Sequence, residues 1–140
     1  MKETELLSLA KHSGERESWP LRTMLLANGS ATSLTLPGYS LLRQFEIAPG
    51  YLVVTDEDCP FEESTHFIIL NKNLTKILSE RSIFRPYESF QLASIEWIHE
   101  HRFTAMFQRH PETWDFTIRN WSIPFLFPLL KIDRRSARGA

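Results

Sequence analysis

The dipeptide Asn28-Gly29 is the strongest local constraint on how this chain can fold. It separates two runs of strand-forming composition, residues 21–27 (LRTMLLA) and 30–36 (SATSLTL). A type I′ turn needs two consecutive residues with positive φ, and Asn-Gly adopts these angles at little energetic cost. The sequence therefore predicts a tight β-hairpin close to the N-terminus.

Strand-like segments recur about every ten residues after this hairpin. Residues 39–47 show the two-residue alternation of apolar and polar side chains that is typical of a half-buried strand. Glycine, proline or asparagine separates most of the segments, which favours turns between them. The sequence thus predicts a mainly β fold, an antiparallel β-sandwich or barrel of about eight strands built from hairpins. The other candidate strands are residues 51–55, 65–70, 75–79, 90–99, 102–107 and 114–118.

The two ends of the chain are predicted to differ from this β-rich middle. Residues 3–12 carry leucines on one side, with Thr4 as a candidate cap and Gly14 as a stop, and they predict a short helix that must dock to persist. Residues 133–140 have no apolar period and are predicted to form a disordered tail. A chain of 140 residues then forms a single domain over residues 1–132.

Charge and composition exclude several classes of function. Sixteen basic and seventeen acidic side chains give a formal charge of −1, so we expect neither nucleic-acid binding nor attraction to an anionic membrane. The N-terminus does not have the composition of a secretory signal, and the most apolar window is ten residues long where a membrane span needs about twenty. A single cysteine cannot form an internal disulfide, which favours a soluble cytoplasmic protein.

The segment Thr55–Thr65 (TDEDCPFEEST) contains five carboxylates in eleven residues, the highest density of acidic side chains in the chain. A calcium loop would need a glycine for its sharp turn, and no glycine occurs between residues 51 and 113. Negative charge around Cys59 disfavours the reactive thiolate. We therefore interpret the segment as an acidic hairpin tip that binds a basic protein partner, through interactions that salt weakens. The predicted partner-binding residues are Asp56, Glu57, Asp58, Glu62 and Glu63.

The histidines His99 and His101 provide the alternative hypothesis. Two histidines separated by one residue point to the same side of a strand and can share a zinc ion. With His66 as a third ligand, they would make the chain a metal-binding β-barrel protein or a metal-dependent enzyme that uses zinc or another divalent metal. The simpler interpretation of WIHEHRF is a polar hairpin turn with exposed histidines.

The apolar segment 121–130 (WSIPFLFPLL) contains Pro124 and Pro128, which exclude a regular helix or a central strand. We expect it to close the core, and the alternative is that a second subunit covers it in a homodimer. The sequence contains no phosphate-binding glycine loop, G-x-S-x-G elbow, H-E-x-x-H helix or paired C-x-x-C. The favoured function is therefore a small non-enzymatic binding or protein-interaction module without a cofactor.

Overall fold

A computed structural model describes residues 1–58, 64–84, 90–120 and 128–135. These residues form twelve strands and a 3-10 helix at Arg16–Ser18, and they contain no α-helix. The strands are β1 (Lys2–Glu3), β2 (Leu7–Leu9), β3 (Arg22–Ala27), β4 (Ser30–Pro37), β5 (Ser40–Ile47), β6 (Gly50–Asp56), β7 (Thr65–Asn71), β8 (Ile77–Ile83), β9 (Leu92–His99), β10 (Arg102–Phe107), β11 (Thr113–Ile118) and β12 (Leu130–Arg135).

The strands are arranged in three antiparallel sheets. The five-stranded central sheet has the order β1-β5-β6-β7-β8, the four-stranded sheet has the order β12-β11-β10-β9, and the three-stranded sheet has the order β2-β3-β4. The prediction of a mainly β, antiparallel fold is confirmed, but the predicted number of about eight strands is too low, since the described residues form twelve. The prediction of a barrel is wrong, because none of the three sheets closes on itself within the described residues.

The central sheet is buried on both faces. In β6, Leu52 and Val54 pack with residues of the four-stranded sheet, while the intervening Val53 packs with residues of the three-stranded sheet. The same division explains why β7 is buried along nearly its whole length. The fold is therefore a stack of three layers, in which the continuous apolar runs belong to the middle one.

The two interlayer cores differ in composition. The core against the four-stranded sheet is aromatic: the rings of Phe103 and Phe116 stack with centroids 4.7 Å apart, and Phe67 lies 4.3 Å from Phe116. The core against the three-stranded sheet is aliphatic, with Leu25 and Leu36 fully buried. Phe67, Phe103 and Phe116 thus pack directly against one another.

The predicted N-terminal helix over residues 3–12 is wrong. This segment forms β1, which pairs with β5, and β2, which pairs with β3. Leu7 is buried while Ser8 is exposed, so the side chains follow a period of two. A helix of about three turns is marginal alone, whereas strand pairing gives the backbone groups partners and buries Leu7 in the aliphatic core.

The first hairpin is confirmed at its turn, because Asn28 and Gly29 have φ angles of 50° and 78°. The C-terminal prediction needs correction: β12 pairs with β11 as far as Arg135, so residues 133–135 are strand rather than disordered tail. Residues 136–140 lie outside the described part of the chain. Within the described ranges, no helix has the length and apolarity needed to cross a membrane.

Candidate functional site

The acidic segment begins at the end of β6. Asp56 accepts a hydrogen bond at Oδ1 from the backbone N–H of Asp58 at 3.1 Å, and Asp58 has a left-handed backbone with a φ of 52°. The carboxylate of Asp56 thus shapes the turn, while Asp58 is exposed. Cys59, Glu62 and Glu63 lie outside the described residues.

Glu57 points toward the central sheet. Its Oε1 lies 2.6 Å from Nε2 of His66, and Nδ1 of the same imidazole lies 2.6 Å from Oγ of Ser82. One of the predicted partner-binding carboxylates, with a side chain that is 31% exposed, therefore already has a partner within the chain. Ser82 was not a predicted site residue, and its only sequence signal is its position opposite His66 across the β7–β8 hairpin, which the irregular pairing near Ile69 obscures.

Arg16 docks on the first residues of the acidic segment. Its Nη1 donates to the carbonyl oxygen of Asp58 at 2.9 Å, and its Nη2 donates to the carbonyl oxygen of Glu57. The guanidinium carbon lies 5.5 Å from the ring centroid of Trp19 and 5.3 Å from that of Tyr39. Both distances fall within the range of cation–π attraction, so two carbonyl oxygens and two aromatic rings together hold the Arg16 guanidinium in place.

A cleft of about 460 Å³ opens beside this contact. We call it the aromatic cleft, because His12, Trp19 and Tyr39 line it and their ring centroids lie 5.1–5.4 Å apart. Asp58 also lines it. The sequence did not predict this cleft, since the three aromatic residues are separated in the chain and meet only where the three-stranded sheet lies beside the central sheet.

Hydrogen bonds hold two of the three rings of the aromatic cleft, His12 and Tyr39, in place. His12 Nε2 lies 3.1 Å from Thr23 Oγ1, and the Thr23 hydroxyl donates to the carbonyl oxygen of Gly38 at 2.7 Å. The Tyr39 hydroxyl donates to the carbonyl oxygen of Pro20 at 2.9 Å. The cleft therefore has defined walls before any ligand arrives, which lowers the entropic cost of binding.

The floor of the aromatic cleft depends on Gln44 in β5. Its side-chain Oε1 accepts the N–H of Leu7 at 2.8 Å, and its Nε2 donates to the carbonyl oxygen of Leu7 at 2.8 Å. The backbone groups that flank β2 bond on its opposite side, toward β3. There the carbonyl oxygen of Leu6 accepts from the N–H of Asn28, and the N–H of Ala10 donates to the carbonyl oxygen of Met24. Gln44 therefore pairs the outer edge of β2 with the central sheet.

The three histidines of the metal hypothesis do not converge. His99 and His101 belong to the β9–β10 hairpin, where their rings lie 6.2 Å apart and the His101 N–H donates to His99 Nδ1 at 3.1 Å. His66 alternates with Phe67, whose side chain faces the four-stranded sheet, so His66 faces the three-stranded sheet instead. Among the residues that the structure describes, no three His, Cys, Asp or Glu side chains are grouped to hold a metal ion.

Most of the apolar segment 121–130 lies outside the described residues, which resume at Pro128. Leu130 is fully buried in the aromatic core, and Leu129 packs against the same cluster. Arg119 donates to the carbonyl oxygen of Pro128 at 3.0 Å. The end of the segment thus belongs to the core, and the homodimer through residues 121–130 stays a prediction.

Comparisons with known proteins return no relative: no family model matches the chain, no curated protein matches its sequence, and no solved structure matches its fold. Any functional proposal must therefore rest on the chemistry of the acidic segment and of the aromatic cleft beside it.

Proposed function

We propose that this chain is a small binding module whose acidic hairpin and aromatic cleft receive a basic, arginine-containing segment of a protein partner. The observation that carries the proposal is the docked guanidinium of Arg16, which contacts two carbonyl oxygens and two aromatic rings. This contact supports the proposal because the surface already presents the groups that an arginine side chain requires.

Asp58 gives the aromatic cleft a negative charge. It is exposed at the rim of the aromatic cleft, and its backbone carbonyl oxygen, rather than its carboxylate, accepts from Arg16. A second cation entering the cleft would thus find a carboxylate beside the rings of Trp19 and Tyr39. Aromatic faces combined with a carboxylate attract guanidinium and ammonium groups, and such attraction weakens as salt increases.

The geometry favours a protein segment over a small apolar ligand. The aromatic cleft is open to solvent and shares Leu41 and Gln44 with a second groove, of about 680 Å³, that runs beside β1. An extended segment can follow both grooves and contribute several side chains. On the argument from the single cysteine, we propose the cytoplasm as the compartment of this encounter.

Calorimetric titration with a capped peptide of alternating arginine and glycine tests this function. We expect salt-dependent binding that is lost when citrulline, which has the same shape without the charge, replaces arginine. Asp58→Asn should weaken binding about two- to fivefold, which corresponds to the roughly 0.4–1 kcal/mol of an exposed ion pair. This variant keeps the backbone carbonyl that holds Arg16.

Glu96→Gln is the matched control, because Glu96 is an exposed carboxylate on β9 of the four-stranded sheet. It removes the same charge from the chain without touching the aromatic cleft, so binding should stay within error of the unmodified protein. Equal effects of Asp58→Asn and Glu96→Gln, or equal affinity for the citrulline peptide, would show that the cleft does not recognise the basic segment.

A further inference from the structure

Three polar side chains form a continuous row across neighbouring strands of the central sheet. Glu57 directly follows β6, His66 lies in β7 and Ser82 lies in β8. The register pairs His66 with Thr55 on one side and with Ser82 on the other. Paired residues share a face of the sheet, so His66 and Ser82 lie on the same face, and the contact of 2.6 Å with His66 brings Glu57 to that face. We call this row the Ser82 site.

The acceptor and donor capacities of the three groups set the direction of their hydrogen bonds. The carboxylate of Glu57 can only accept, so Nε2 of His66 carries a proton in the contact of 2.6 Å. In the tautomer that is protonated only at Nε2, the lone pair on Nδ1 accepts the hydroxyl proton of Ser82 across the other 2.6 Å contact. A serine, a neutral histidine and an orienting carboxylate in this order make the serine oxygen a stronger nucleophile.

Burial distinguishes the members of the row in the way that nucleophilic chemistry requires. His66 is 7% exposed, so its imidazole is largely sheltered from water. Ser82 is exposed, so a reactant can approach its oxygen from solvent. The base is therefore sheltered while the nucleophile is accessible.

The position of Ser82 also provides hydrogen-bond donors. Within the described residues, β8 is the outer strand of the central sheet. In an antiparallel ladder, successive residues direct their N–H groups alternately toward the partner strand and toward the open edge. An N–H group that β7 does not occupy thus lies within one residue of Ser82, where it can stabilise a developing oxyanion.

From this geometry we propose that Ser82 is the nucleophile of an acyl-transfer site that accepts small esters, with His66 as general base and Glu57 as the positioning residue. Ser82 Oγ bonds to the ester carbonyl carbon, and its proton moves to His66 Nδ1. The bond to the leaving alkoxide breaks, and the alkoxide takes that proton from Nδ1. Water then repeats the attack on the acyl-serine, so that ester and water yield a carboxylic acid and an alcohol.

A fluorophosphonate probe on the full chain tests this proposal, because such probes phosphonylate activated serines. We expect mass spectrometry of the digested protein to find the probe on Ser82. Ser33, an exposed serine in β4, is the internal reference for ordinary serine reactivity and should not be labelled. The unmodified protein thus decides the question without any variant: labelling of Ser82 that does not exceed that of Ser33 overturns the proposal.

Variants assign the roles within the site. Ser82→Ala should abolish labelling, and Ser33→Ala should leave it unchanged. His66→Gln should slow labelling of Ser82 about 100-fold or more, the typical contribution of a positioned general base. Unchanged labelling kinetics in His66→Gln would remove the histidine, and with it the proposed mechanism.

Glu57→Gln separates positioning from a merely structural role. We expect it to lower the maximal labelling rate of Ser82 while leaving the probe concentration for half-maximal rate and the urea midpoint of unfolding unchanged. A lower urea midpoint with an unchanged maximal rate would show that Glu57 only stabilises the sheet. Hydrolysis of p-nitrophenyl acetate, with a burst of nitrophenolate that Ser82→Ala lacks, provides an independent readout of acyl transfer.

Discussion

Replacing Gln44 by alanine should detach β2 from the central sheet. The side chain makes two hydrogen bonds, both at 2.8 Å, to the N–H and the carbonyl oxygen of Leu7, which is 3% exposed. A hydrogen bond contributes roughly 0.5–1.5 kcal/mol to the free energy of unfolding, and a buried group left without a partner costs about 1–3 kcal/mol. Two such groups in a site with little access to water give an expected loss of about 2–4 kcal/mol.

Urea unfolding followed by tryptophan fluorescence measures this loss, and hydrogen exchange localises it. The Leu7 amide should exchange at least about tenfold faster in Gln44→Ala, since a loss of 1.4 kcal/mol changes an opening equilibrium tenfold. Gln108→Ala is the matched control, because Gln108 is exposed and should change stability by less than about 0.5 kcal/mol. Equal stability of the two variants, with unchanged protection of Leu7, would refute the assignment of Gln44 as the support of the cleft floor.

Three further experiments test the fold. Gly50→Ala should destabilise the protein by about 3 kcal/mol in urea unfolding, because the added Cβ would lie 2.0 Å from the carbonyl oxygen of Leu70; Gly29→Ala, which meets nothing within 4 Å, should cost only the roughly 1–2 kcal/mol of its positive φ. Phe116→Ala should cost about 3–5 kcal/mol by the same assay, since the ring is fully buried between two others. A double-mutant cycle on Arg22 and Glu80 should give a coupling free energy of about 0.2–1 kcal/mol that decreases in about 0.5 M salt, because the two side chains are 39% and 35% exposed to solvent.

Local backbone chemistry was the most predictable part of this fold. Asn28 and Gly29 adopt the two positive φ angles that the dipeptide predicts, because the preference resides in the two residues themselves. The alternation in residues 39–47 likewise places Phe45 and Ile47 in the core. Both signals are contained within a few residues, and neither depends on what the rest of the chain does.

The three-layer arrangement was not predictable from the same patterns. Residues 51–55 and 65–70 are apolar without alternation, which shows that a strand is buried on both faces but not what covers each face. The N-terminal segment failed for a related reason, since Leu6, Leu7 and Leu9 fit one side of a short helix as well as a strand. The distant partner Gln44 decides between them, and a local pattern contains no information about it.

The candidate site illustrates the same limit at the level of chemistry. The sequence identified Glu57 and His66, but it assigned the first to a partner surface and the second to a metal. Their actual contact depends on the register of β6 with β7, and the contact with Ser82 depends on the register of β7 with β8. Because the β7–β8 pairing is irregular near Ile69, counting residues from the turn would misplace the serine by one position.

Glu57 connects the two proposed sites through opposite ends of one residue. Its carbonyl oxygen accepts from Arg16 at the aromatic cleft, while its carboxylate contacts His66 in the Ser82 site. A basic segment that enters the cleft beside Arg16 would compete for the carbonyl oxygen of Glu57, so occupation of the cleft should alter the reactivity of Ser82. If the basic segment also changes the affinity of the Ser82 site for a reversible ligand, linkage requires that this ligand change the affinity of the cleft for the basic segment by the same factor.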